Sequence, residues 1–261
     1  MKEFNLNNKT IIVTGCNGII GKSISKALSS YGADLILIDI VEQSKINKQT
    51  RELQKIFKNK ILPIKLDINN EIETKKIFKN INKIDVLINL AAIDAKVNEG
   101  KEYIFDKKIL KNSLNTNLIA TSIFTDFILK KMIKRKKGNI INVASTYSIV
   151  SPNLNLYKGT NTFKLNKPLE YILSKSFIPN YSRYIATTYA RKGIRCNTIV
   201  PHAVITNNKN NKFKKNFLKL SPIGRFCKPS ELNGVFIFLS SDSSSYMNGA
   251  LITLDGGWTA W

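Results

Sequence analysis

Tyr171 and Lys175 stand four residues apart in Tyr171-Ile172-Leu173-Ser174-Lys175, a spacing that puts both side chains on one face of a helix. A phenol titrates near ~10 and is a poor proton shuttle at neutral pH. A close ammonium favours the phenolate, and bringing the phenol into a working range corresponds to roughly 3–4 kcal/mol of differential stabilisation. The pair therefore predicts a general acid/base, Tyr171, whose pKa Lys175 lowers. Ser145 closes the apolar run at 139–144, where its hydroxyl can hold a carbonyl or alcohol oxygen. Alone, it also fits a polar strand terminus.

A second cluster is made of glycines. Thr14-Gly15-Cys16-Asn17-Gly18-Ile19-Ile20-Gly21 follows the first apolar run and opens the first helical pattern. Such a turn lets the backbone approach a pyrophosphate, and the helix N-terminus offers it unpaired N–H groups. Asp39 lies 18 residues beyond Gly21, at the end of the second apolar run. A carboxylate there accepts both ribose hydroxyls of an adenosine and repels a 2′-phosphate, so NAD is favoured over NADP. Lys22 and Lys45 are close enough in sequence to keep NADP as the lesser alternative.

These residues need elements to carry them. Short apolar runs at 9–14, 34–40, 61–66, 84–90, 139–144, 194–200 and 250–254 read as strands. Helical patterns fall at 19–31, 42–59, 71–82, in a long stretch ending near Lys137, at 169–192 with an interruption at Pro179, and at 230–239. Buried strands alternating with helices predict an α/β fold, a doubly wound parallel sheet of about seven strands. Residues 1–261 read as a single domain. Residues 151–168 have no clear period, and 207–220 read as a polar, mobile flap near the site.

Composition excludes several classes. The 261 residues are 43% apolar with no run long enough to span a membrane. No signal peptide precedes the first strand, which predicts a soluble, cytoplasmic protein. Three cysteines and one histidine, His202, exclude a disulfide framework, a multi-histidine metal site and a Ser-His-Asp triad. The net charge is +23, and residues 127–230 hold a single acid, Glu170. Codon drift toward lysine, asparagine and isoleucine accounts for much of this basicity. Its concentration also fits an anionic substrate. The run Lys130–Lys137 reads as a solvated helix end complementing the helix dipole, and no nucleic-acid module accompanies it.

Taken together, these pieces resemble the short-chain dehydrogenase/reductase family over nearly the whole chain. Thr14-Gly15, Asp39, Leu66-Asp67-Ile68, Asn89-Leu90-Ala91-Ala92, Asn117, Ser145, Tyr171/Lys175, Pro201 to Thr206, and Leu254-Asp255-Gly256-Gly257 run in the family's order. The resemblance implies a Rossmann fold and an NAD(P)-dependent oxidoreductase acting on CH–OH groups. It makes Tyr171 the acid/base, Lys175 the ligand of nicotinamide ribose, Ser145 the holder of the reacting oxygen, and Asn117 part of a proton relay. It assigns Thr14, Gly15, Asn17, Gly18, Ile20, Gly21, Asp67, Ile68, Asn89, Ala91, Pro201, Val204 and Thr206 to the cofactor, and it implies a homotetramer or dimer. Three departures stand out: the middle glycine is Gly18, Asn89–Ala92 varies a tighter motif, and His202 replaces a glycine. His202 contacts substrate or is a tolerated loop residue.

From Ser145 to Tyr171 is about twice the family's usual spacing. With Tyr157-Lys158-Gly159-Thr160 and the aromatic C-terminus Gly257-Trp258-Thr259-Ala260-Trp261, the insertion resembles a subgroup linked to flagellin-modification and nonulosonic-acid sugar biosynthesis. That implies a sugar or sugar-phosphate substrate, with Ser145, Tyr147, Tyr157, Tyr171 and His202 facing it. The alternatives are a 3-oxoacyl-(acyl-carrier-protein) reductase, or a non-catalytic nucleotide-binding protein on the same scaffold.

Overall fold

The computed structural model describes residues 3–94, 106–160, 169–205 and 211–261. Its strands are β1 (Thr10–Thr14), β2 (Asp34–Asp39), β3 (Ile61–Lys65), β4 (Val86–Asn89), β5 (Gly138–Val143), β6 (Ile194–Pro201) and β7 (Leu251–Leu254). All pair in parallel in the order β3-β2-β1-β4-β5-β6-β7. The order reverses between β1 and β4, and ligands of open α/β sheets bind outside the carboxyl ends of the strands at such a point. The central strands are continuous apolar runs because helices cover both faces. Ile11 and Val13 point to one face with Ile24 and Leu28, whereas Ile12 points to the other with Leu87, Phe124 and Ile128.

The helices are α1 (Ile19–Ser30), α2 (Gln43–Gln54), α3 (Glu71–Ile77), α4 (Lys107–Leu114), α5 (Thr121–Lys134), α6 (Leu154–Tyr157), α7 (Leu169–Ser176), α8 (Ile178–Tyr189), α9 (Asn211–Leu220) and α10 (Asn233–Ser240). Two expected helices end early. The chain leaves α2 at Lys55 to enter β3, and α3 stops before Phe78, which is fully buried against Phe124 with ring centroids 5.8 Å apart. The expected long helix is α4 and α5 joined by a π-wound segment, Asn115–Ala120. Pro179 is the second residue of α8, so the chain breaks at Phe177 and not within a continuous helix.

Residues 211–220, the later part of the stretch read as a flap, are helical. They form α9, whose lysines face outward while Phe217 is buried. Within 151–168 the described part carries α6. Leu156 and Tyr157 of α6, Phe217 of α9 and Trp258 form a third apolar cluster, separate from the two that sandwich the sheet.

Candidate active site

The glycine turn sits at the reversal of strand order. Gly15 has φ +68°, and a Cβ there would lie 2.9 Å from the Ala91 Cα. A Cβ on Gly21 would collide with the carbonyls of Gly15 and Cys16. Only glycine lets α1 start this close to β1. Thr14 Oγ1 accepts the amides of Leu90 and Ala91, each at 3.1 Å, tying the end of β1 to the end of β4. Gly18 caps α1, which places Ile20 and Gly21 in its first turn. This backbone cradle fits a dinucleotide pyrophosphate.

Asp39 ends β2 beside the turn, with Oδ2 accepting the Asn17 amide at 2.8 Å. Asp67 follows β3 and holds its own loop through the Asn69 amide at 2.9 Å, and Ile68 is buried. The Asn89 side chain is turned into the sheet, donating to Thr125 Oγ1 and Asn142 Oδ1 at 2.8 Å each. Pro201 ends β6, and Val204 bridges to Cys227. Thr206 lies outside the described residues.

The reactive side chains converge at the end of β5. Ser145 follows that strand; its Oγ accepts the Tyr147 amide at 3.3 Å, and its hydroxyl pulls the titration of the Tyr171 phenol down. Tyr171 and Lys175 share one face of α7, as their spacing requires. Lys175 Nζ donates to the Val143 carbonyl at 3.2 Å. Asn117 lies in the π-wound segment, where its Nδ2 donates to Ser174 Oγ at 3.0 Å and to the Ile93 carbonyl at 2.9 Å, while its Oδ1 accepts the Ile93 amide at 2.8 Å. A cavity of about 10 Å³, room for one water, lies among Asn89, Asn117, Asn142 and Lys175.

The electrostatics correct one expectation. Tyr171 is not made more acidic: burial pushes its phenol up to about 12, Asp94 adds to the rise, and the Ser145 hydroxyl opposes it. Lys175 does not figure among the causes. Burial itself lowers the ammonium to about 8, with Asp94 working against the drop. Its Nζ is directed at the Val143 carbonyl, and removal from water disfavours its charged form.

Around Trp258 the side chains are aromatic. Tyr147 and Tyr157 are buried with their hydroxyls 2.9 Å apart. His202 is buried too, with Nδ1 2.6 Å from Thr146 Oγ1 and its ring 4.5 Å from Trp258 between centroids. It is thus a fixed wall residue. Two contributors escaped the sequence reading. Asp94 acts on Tyr147, Tyr157, Tyr171 and Lys175 together, and its signal was an acid just past the Asn89–Ala92 motif. Phe217 was hidden in a lysine-rich stretch, and only the helical period of 211–220 would have revealed it.

Comparison with known proteins agrees with this fold. A family model described as enoyl-(acyl carrier protein) reductase matches residues 16–259. The chain is similar to the 2-dehydro-3-deoxy-D-gluconate 5-dehydrogenase of Bacillus subtilis, 30% identical over 98% of this chain and 96% of that one. It is also similar to the NAD-dependent glycerol dehydrogenase of Listeria innocua, 29% identical over 99% and 96%. Among solved structures, a short chain dehydrogenase from Leptospira borgpetersenii with bound NAD+ matches at a TM-score of 0.84 and 28% identity, over 99% of this chain and 96% of that one.

Proposed function

The chain belongs to the short-chain dehydrogenase/reductase family, and from that premise we propose that it uses NAD(H) to interconvert an alcohol and a ketone on a sugar-derived or sugar-acid substrate. The family makes it an oxidoreductase acting on CH–OH groups with a nicotinamide cofactor. When bound, nicotinamide gives or takes the hydride. Gly15, Asn17, Gly18, Ile20 and Gly21 would hold the pyrophosphate, Asp39 the adenosine ribose, and Asp67 and Ile68 the adenine. Thr14, Asn89, Ala91, Pro201, Val204 and Thr206 would line the rest of the groove. The Asp39 carboxylate supports NAD over NADP.

Tyr171 and Ser145 handle the proton. Ser145 holds the reacting oxygen, and in reduction the Tyr171 phenol donates its proton to that oxygen. In oxidation the phenolate takes it back. A phenol pushed up to about 12 is protonated in neutral solution, the form that reduction consumes. Lys175 holds nicotinamide ribose and, with Asn117 and a water in the small cavity, refills Tyr171. The observation that carries this reading is that Ser145, at the end of β5, acts on the Tyr171 phenol, one helical turn from Lys175.

The insertion and the Gly18 spacing support the narrower nonulosonic-acid subgroup, although the named relatives above act on a sugar acid and on glycerol. Free cysteines Cys16, Cys196 and Cys227 suit a reducing cytoplasm, and no helix among the described residues is long and apolar enough to cross a membrane. Exposed Ile119, Ile123, Leu173 and Tyr184 on the helices around Asn117 and Tyr171 support a homo-oligomer, dimer or tetramer.

Initial rates with NAD and NADP on polyols, sugar acids, sugar phosphates and 3-oxoacyl carrier thioesters test the assignment. The expected result is NAD-dependent turnover of a polyol or sugar acid. A preference for thioesters would support the acyl reductase instead. No turnover on any class would leave a nucleotide-binding protein.

A further inference from the structure

We propose that Glu170 is a positioning residue that sets the rotation of α7, and so the aim of the Tyr171 phenol, by completing the cap of a different helix, α4. This deepens the function proposed above and rests on it.

Glu170 is the single acid between residues 127 and 230, and it is fully buried. Its Oε1 accepts the Asp106 amide at 2.6 Å, while its Oε2 has no hydrogen-bond partner among the described residues. A buried polar atom left unpaired costs free energy, and an apolar side chain would fill the space without that cost. What the carboxyl supplies, and an apolar side chain cannot, is a fixed acceptor.

The acceptor completes a capping box split between two helices. Asp106 is the N-cap of α4, with Oδ1 accepting the amides of Lys108 at 2.8 Å and Ile109 at 3.0 Å. In an ordinary capping box, the Glu or Gln three residues on reaches back to the amide of the N-cap itself. In α4 that position is Ile109, whose side chain has no acceptor. Glu170 takes its place from α7, and one short hydrogen bond ties the first turns of the two helices together.

The tie matters because of where it falls on α7. Glu170 and Ser174 are four residues apart, both fully buried, on one face of the helix. Ser174 Oγ accepts Asn117 Nδ2 at 3.0 Å, from the π-wound segment that continues α4. One face of α7 is therefore bonded at two points to one rod, at Asp106 and at Asn117. Tyr171 and Lys175 each come next in sequence, on a face turned by about 100°. Two anchors on the first face restrict rolling of the helix and so fix the direction of the second. Without Glu170, only the Ser174 anchor remains, and Tyr171 lies at the released end. A shift of about 1 Å at a reacting group can cost up to about 10²-fold in rate.

The test replaces Glu170 with side chains of similar length. Glu170→Met removes the acceptor, and Glu170→Gln keeps it. Kinetics are measured in the reductive direction with NADH and dihydroxyacetone, the ketone of glycerol, or with the ketone of whichever polyol or sugar acid the panel above finds fastest. Glu170→Met should lower kcat about tenfold, with KM and NADH affinity within about twofold of wild type. Its solvent deuterium isotope effect on kcat should exceed that of wild type, because proton donation by Tyr171 becomes slower. A partly unfolded enzyme would lose rate without that change. Glu170→Gln should stay within about threefold of wild type. Melting curves report folding, and Glu170→Asp, which draws the acceptor back by one methylene, carries the test if Glu170→Met does not fold. A Glu170→Met kcat within twofold of wild type, an unchanged isotope effect, or a Glu170→Gln enzyme as slow as Glu170→Met would overturn this inference alone. A wild-type enzyme that turns over no polyol, sugar acid or derived ketone would overturn the proposed function and this inference together.

Discussion

The cradle between β1 and β2 is built from backbone, whereas the wall across from it, made by α6, α9 and the turn around Trp258, is built from side chains. In the cradle the decisive features are a glycine with positive φ, close carbonyls and amides aimed at Asp39. In the wall they are packed rings: Phe217 stacks on Phe226 at 4.3 Å and on Trp258 at 5.6 Å, and His202 lies tilted against Trp258 at 4.5 Å. A backbone site suits a ligand common to many proteins, since few residue types matter. A side-chain site suits a ligand particular to one, since every ring is a choice. Tyr171 and Lys175 stand on the seam between the two regions.

The comparison predicts that changes on the two sides dissociate. On the seam, burial lowers Lys175 from 10.5 to about 8, so its charge is present below that pH and lost above it. The reductive kcat/KM should fall about tenfold per pH unit on the alkaline side of that point, as a single required proton dictates. Lys175→Arg, which keeps its charge, should remove that limb, and a wild-type profile flat to pH 10 would separate Lys175 from the reaction. On the wall, Phe217→Ala should raise substrate KM about tenfold and leave NAD affinity within twofold. It should also cost roughly 3 kcal/mol of stability, the low end for a buried aromatic in a small cluster. An equal loss of NAD affinity in titration calorimetry would merge the two regions. In the cradle, Asp39→Ala should shift the NAD-to-NADP preference several-fold toward NADP, with substrate KM unchanged. Unaltered selectivity would place the adenosine elsewhere.

The same contrast explains what the sequence disclosed. The cradle was legible because its cause is local: Gly15, Gly18 and Gly21 follow an apolar run within a few residues, and Asp39 ends the next. The seven strands were legible for a similar reason, as short apolar runs between turns. Tyr171 and Lys175 could be paired from helical spacing alone. Their titration could not, because desolvation depends on what the whole fold lays over α7. The wall was the least legible. Tyr157, His202, Phe217 and Trp258 meet across long chain separations, and no period within one segment predicts that meeting. Lysines hid the amphipathic face of α9, so a helix holding a core phenylalanine read as a flap. The end of α3 was missed because Phe78 leaves the helix to pack against Phe124.

The claim on which both regions depend is that proton transfer resides in Tyr171 and cofactor binding does not. Measuring NADH affinity and turnover side by side for Tyr171→Phe tests it most directly. The account predicts turnover lower by about 10²–10⁴-fold, the range for a positioned acid/base, with NADH affinity within a few-fold of wild type. Turnover near the wild-type rate would contradict it.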